Sequence, residues 1–331
     1  MKSLSDYHQC VVNDLIRSLT VNVAHIIDYL ISTDLSDEEK RHLLELDKCD
    51  DINHAGKTRE KEKDNVRLRA LFIKGPTQPL TICYIIRRGG RYAEEGNFDS
   101  CLMMWKWALI KLEERISLSL LFTEDLLLLF ARVFAIMTHL KVEISFNDVI
   151  MVFEKCMREK IKNKNLFICL IFLLTRLEPR LTPQQFFVMR KTVYQFVKLN
   201  PQLLPLHLCL KENSNSLSKI YIFHDVKVIK LLLEVGANPH AVDVRGNTPL
   251  HILATNNECV NLQDYITLFV EAGAHLDTLN KLGQSLISIR GLNPLHYTSL
   301  QCLAATTVKK HFCNIYKNVL HPRLVQFVNL H

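Results

Sequence analysis

The stretch Val228–Ala254, VIKLLLEVGANPHAVDVRGNTPLHILA, decides the fold, and it recurs as Tyr265–Ile289, YITLFVEAGAHLDTLNKLGQSLISI. In both copies an apolar run reaches Gly-Ala, a polar turn with a second glycine follows, and a new apolar run begins. Gly236 recurs as Gly273 and Gly246 as Gly283, each 37 residues later. A fixed period of this length marks a stacked repeat, in which one helix pair buries its apolar face against the next.

The residue types explain the pattern as an ankyrin turn. Gly246, and Gly283 in the second copy, supply the left-handed conformation at a hairpin tip. Thr248 caps the following helix, and Pro249 opens its first turn, where the missing N–H has no partner to lose. His251 is expected to hydrogen-bond back to the turn region. Leu231, Leu232 and Leu233 fill the space between repeats, and Gly236 and Gly273 close the preceding helices. Pro205-Leu206-His207-Leu208 is an earlier copy of the same turn, and KENSNSLSKIYIFHD after it reads as a surface insertion. His251 with Asp243 does not make a hydrolase, because no nucleophile elbow accompanies the pair.

Upstream, GGRYAEEGNFDSCLMMWKWAL (Gly89–Leu109) has a different spacing. Gly89, Tyr92, Gly96, Phe98, Cys101 and Ala108 match the tetratricopeptide unit, two helices joined at Gly96-Asn97. Gly89 and Ala108 allow close approach, and Tyr92 and Phe98 fill the gap. With only 10 Gly and 10 Pro in 331 residues, and leucines recurring at three and four, the whole chain reads as all-α, a helical solenoid. Breaks are expected at Lys74-Gly75-Pro76, Ser145–Asp148, Leu181-Thr182-Pro183 and Asn200-Pro201.

Composition narrows the function classes. Hydrophobic residues make up 48% and charged residues 23%, an ordinary globular balance. The net charge of +7 is mild, and its dense block, KTREKEKDNVRLR, alternates sign as a solvated helix or linker does, so no nucleic-acid partner is expected. Ten cysteines without C-x-x-C spacing read as buried reduced thiols of a cytoplasmic or nuclear protein. His311, Cys313 and His321 lack the second paired motif of a metal site, and no metal or other cofactor is expected. No signal peptide is evident in MKSLSDYHQC. The apolar run Leu166–Leu174 is too short to span a bilayer, so no membrane association is expected. No Gly-rich phosphate loop, H-E-x-x-H or recognisable carboxylate pair supports an enzyme.

SLQCLAATTV (Ser299–Val308) follows the ankyrin copies. Leu300, Leu303, Ala304 and Val308 fall at i, i+3, i+4 and i+8, one stripe of a helix. Such a stripe either covers the exposed end of a solenoid or docks in a partner's groove.

The order of these parts resembles the C-terminal half of the Fem (feminization) family. IIRRGGRYAEEGNFDSCLMMWKWAL, VGANPHAVDVRGNTPLHILA, FVEAGAHLDTLNKLGQS, TSLQCLAATTV and LVQFVNLH carry the resemblance, which covers roughly 64–331. Residues 1–63 read as an unassigned helical N-terminal segment and charged linker, and the resemblance implies three parts after it: a tetratricopeptide-like region (64–200), ankyrin repeats (201–292) and a VHL-box (293–331). It also implies a non-catalytic substrate receptor of a cullin–RING ubiquitin ligase, taking substrate proteins through C-terminal degrons. By the resemblance, Leu300, Leu303, Ala304 and Ala305 meet elongin C of the elongin B–elongin C pair, and Leu324, Phe327 and Val328 meet a cullin. The chain departs from the family at Thr306, where arginine is usual, and at Pro322, one residue nearer Leu324. Residues 1–63 show no TPLH-type turn, so the family's N-terminal ankyrin array, which holds the degron pocket, is not expected there, and substrate capture through that pocket is not carried over to this chain. The alternative is an ankyrin scaffold whose C-terminal helices only cap the stack.

Overall fold

The computed structural model describes residues 79–113, 119–159, 161, 163–211, 225–256, 262–293, 298–312 and 315–330. It also describes Asn13, Ile16, Arg17, Leu19, Val21, Val23 and Ala24. Among the described residues every regular element is helical and no strand occurs, in agreement with the all-α reading. Two compact units divide the chain, Met1–Leu166 and Phe167–His331. The break expected at Lys74-Gly75-Pro76 lies outside the described residues.

In the first unit, α1 (Pro79–Glu94) and α2 (Phe98–Glu113) pack as a pair around the turn at Gly96-Asn97. The Asn97 N–H donates to Tyr92 O at 2.7 Å and the Gly96 N–H to Ala93 O at 3.1 Å, satisfying carbonyls the helix end would orphan. The pair is close because of Gly89: a Cβ built there would lie 2.3 Å from Nε1 of Trp105. That indole is fully buried, donates to Ile86 O at 2.9 Å and meets the Phe130 ring edge-on at 5.7 Å.

Phe98, Cys101 and Ala108 are buried as the spacing predicts. Tyr92 differs: it is half-buried and carries the Arg88 guanidinium over its ring at 4.5 Å. Its amphipathic side chain therefore sits at the edge of the helix pair. In α3 (Ser119–His139), buried side chains from Leu126 to Met137 surround the axis, and α4 (Phe146–Arg158) buries one stripe: Phe146, Val149, Ile150, Phe153 and Cys156.

In the second unit, the apolar residues Phe167–Leu174 of α5 (Lys164–Leu177) are all buried. No described helix is long and apolar enough to cross a membrane. α6 (Pro183–Leu199) starts where Leu181-Thr182-Pro183 predicts, at a reciprocal cap: Gln185 N–H donates to Thr182 Oγ1 and Thr182 N–H to Gln185 Oε1.

Three short helices then begin at equivalent points: α7 (Pro205–Leu210), α9 (Pro249–Thr255) and α11 (Leu286–Arg290). Between them lie α8 (Val226–Glu234) and α10 (Leu262–Glu271). Leu231 and Leu232 are buried, whereas Leu233 is half-buried. The paired glycines repeat in conformation as in sequence, with φ of 90° and 89° at Gly236 and Gly273, and of 75° and 71° at Gly246 and Gly283. At Gly246 a side chain would be both strained and crowded, since a Cβ would lie 3.0 Å from the backbone nitrogen of Lys281.

The hairpin tips are joined to one another. Asp243 Oδ1 accepts from the backbone N–H groups of Arg245 and Asn247, each at 2.8 Å. Asn280 repeats the role, accepting from Leu282 at 2.9 Å and Gln284 at 3.0 Å. The Asn280 amide then donates to Asn247 Oδ1 at 2.9 Å, and the Lys281 N–H to Arg245 O at 3.2 Å.

Histidines complete the ladder. His251 Nδ1 accepts from the Thr248 N–H at 3.0 Å, so Nε2 carries the proton and donates to Gln284 O at 2.8 Å. His207 Nε2 lies 2.7 Å from Asn247 O in the same way. The bond from His251 thus reaches the next turn as well as its own. Leu204 stands where Thr248 stands in the later copy; it has φ 50° and no side-chain cap, so the first of the three helix starts lacks this lock.

Burial lowers the pKa of both His207 and His251, against the opposing pull of the carbonyls they meet and of Asp243. A histidine with a folded-state pKa below its unfolded value of about 6.5 binds its proton more tightly when unfolded. Stability is therefore expected to be full above about pH 6.5 and to fall as pH drops through that value toward the folded-state pKa. Melting temperatures of wild type and His207→Gln across this range check the prediction, the variant having the flatter profile.

Candidate docking surface

Three helices close the chain: α12 (Leu300–Phe312), α13 (Tyr316–Val319) and α14 (Pro322–Leu330). They gather around their own small core of Ala305, Tyr316 and Val328, with Val308, Leu320, Val325 and Phe327 packed against it. Tyr316 adds a hydrogen bond from its hydroxyl to Asn329 Oδ1 at 2.6 Å. Ser299 sits before α12, its hydroxyl accepting from the Cys302 N–H at 3.1 Å.

A helix presents a new direction every 100° or so, and α12 uses this to face two ways. Cys302 and Ala305 point inward and are buried. Leu300 is 85% exposed, Leu303 37% exposed, and Ala304 is exposed beside them. Val308, the fourth member of the sequence stripe, is instead drawn partly into the small core.

The second predicted group divides similarly. Leu324 is 52% exposed, Val328 is buried in the small core, and Phe327 is half-buried. The Phe327 ring meets His275 edge-on at 5.3 Å, and His275 stacks on His240 at 5.5 Å. This ring stack fastens α14 to the turn after α10. Of the seven side chains predicted to meet partners, Leu300, Leu303, Ala304 and Leu324 face outward, and Ala305, Phe327 and Val328 support them from within.

Sequence reasoning did not single out Phe312, Ile315 and Val319, which are also exposed apolar side chains of these helices. Their signal was available: three large apolar residues near a chain end outside any repeat. His311 and His321 are exposed, and Cys313 lies outside the described residues. Cys83, Cys101, Cys156, Cys169, Cys209 and Cys302 are buried thiols, and burial pushes those of Cys101, Cys156 and Cys209 well above the ordinary thiol range. A thiol held protonated in this way is inert as a nucleophile.

No protein-family model matches the chain. Among curated proteins it is 32% identical over 310 residues to protein fem-1 homolog A of Danio rerio, covering 82% of this chain and 49% of that protein. It is 30% identical over 311 residues to fem-1 homolog A of Rattus norvegicus, covering 82% and 46%, and 31% identical over 309 residues to fem-1 homolog C of Xenopus laevis, covering 82% and 49%. The chain spans about half the length of the curated relatives it matches. Similarity over four-fifths of this chain, on an all-α repeat architecture, places it: the chain belongs to the Fem family.

Proposed function

We propose that the chain is a non-catalytic substrate-recognition or adaptor subunit of a cullin–RING ubiquitin ligase, in the cytoplasm or nucleus. On this reading the outward face of α12 docks elongin C, Leu324 with the surface around α14 meets a cullin, and the repeats hold substrate. The observation that supports it most is the exposure of Leu300, Leu303 and Ala304 on a helix whose opposite side is fully employed. A helix with a buried inner face and an apolar outer face fits groove docking, in which i, i+3 and i+4 side chains anchor the contact. Family membership supports the same reading.

The test is recovery of purified elongin B–elongin C on the immobilised full chain. Leu300→Asp with Leu303→Asp is expected to reduce recovery at least tenfold while the melting temperature moves little, because neither side chain belongs to the small core. Weak recovery by wild type and variant alike would end the ligase reading.

One observation favours a second reading, in which the C-terminal helices are a cap. Phe327 and Cys302 both contact His275, so the tail is seated on its own repeat. Under that reading the double variant lowers the melting temperature and removes no partner.

A further inference from the structure

We propose that His275, Asp277 and Cys302 form a zinc site that fastens α12 to the turn following α10. One donor atom from each residue lies within 4.8 Å of the other two. His275 Nδ1 and Cys302 Sγ are already 3.3 Å apart. Donors around tetrahedral zinc sit roughly 3.5 Å from one another, given bond lengths of about 2.0–2.3 Å. Side-chain adjustment of about 1 Å therefore closes the triad on an ion.

The donor set selects the metal. One thiolate, one imidazole and one carboxylate suit zinc, whereas calcium and magnesium take oxygen donors. The surroundings hold the donors in place. His275 stacks on the His240 ring and is met edge-on by Phe327, and Ser299 Oγ donates to Cys302 Sγ at 3.0 Å. Such outer contacts fix the orientation of a ligand and tune its basicity. On binding, the Cys302 thiol releases its proton to solvent as the sulfur–metal bond forms, and a fourth position is left for water.

The repeat comparison points to the same residues. At the period of 37 residues, His275 replaces Asn238 and Asp277 replaces His240. The second copy thus departs from the first at both donor positions, and the third donor comes from the helix packed beside it. The site joins two segments that the chain otherwise connects through residues 278–299.

Cobalt(II) serves as the spectroscopic stand-in for zinc. Addition to the purified, reduced full chain is expected to give the near-ultraviolet sulfur-to-cobalt charge-transfer band and the visible bands of a tetrahedral ion, both bleached by zinc. Cys302→Ser is expected to abolish the charge-transfer band, and Asp277→Asn to weaken cobalt binding at least tenfold. Zinc should raise the melting temperature of wild type and leave that of Cys302→Ser unchanged. Absence of the bands in wild type, or their persistence in Cys302→Ser, overturns the proposal. Elongin plays no part in these measurements, so their failure is distinct from failure of the ligase reading.

Discussion

Trp105→Ala is expected to destabilise the first unit by about 3–5 kcal/mol, the range for removing a large buried aromatic side chain. The indole is enclosed by the closely approaching backbone at Gly89, by the Phe130 ring and by the Ile86 carbonyl that accepts its N–H. Truncation leaves a cavity in the packing and the Ile86 carbonyl without its donor. Overpacking from the other side acts on the same contact. Gly89→Ala places a methyl group 2.3 Å from the indole nitrogen, and relief by backbone movement costs about 1–3 kcal/mol.

The two changes are expected to be strongly non-additive, because with Trp105 removed the methyl at residue 89 has room. Urea denaturation of the two single variants and the double variant, followed by helical circular dichroism, measures the coupling. Additive losses would show that Gly89 and Trp105 do not meet.

His251→Leu is expected to cost about 2–3 kcal/mol in the second unit, more than its loss of hydrogen bonds alone suggests. The imidazole binds the Thr248 N–H on one side and the Gln284 carbonyl on the other, so it serves two consecutive turns. Leucine fills the volume yet leaves the Thr248 N–H buried without a partner. His251→Gln offers a donor and an acceptor and is expected to recover part of the loss. Equal loss in both variants would mean that shape, not hydrogen bonding, is what the site requires. Thermal melts at about pH 7.5, where the histidine is neutral, separate this effect from protonation.

Much of the second unit was legible because its constraints are local. Gly246 must turn left-handed, Thr248 must cap a helix and Pro249 must open it, and each rule is written in the residue and its immediate neighbours. The all-α class followed equally directly from leucine spacing and scarce turn residues. Tyr92 was less legible, since its place at the edge of a helix pair depends on Arg88 crossing its ring. The sequence stripe on α12 divides in the structure, with Leu300, Leu303 and Ala304 facing outward and Val308 drawn partly into the small core. Periodicity shows which side chains share a face, but not how wide a face the neighbouring helices cover. The contact of Phe327 with His275 was not legible at all, because it joins residues far apart in sequence whose types form no motif.

The ladder of turns has a consequence for how this protein tolerates changes of length. The His207 rung spans 40 residues of sequence and the His251 rung 33, yet their bonds are 2.7 and 2.8 Å. Register between neighbouring repeats is therefore set where the tips meet, and the chain between rungs only has to arrive. Closing the longer span costs about 0.2 kcal/mol more in chain entropy, a small fraction of one hydrogen bond. A single residue added between Asp243 and Thr248 is thus expected to break the bonds that join this tip to His207 on one side and to Asn280 and Lys281 on the other.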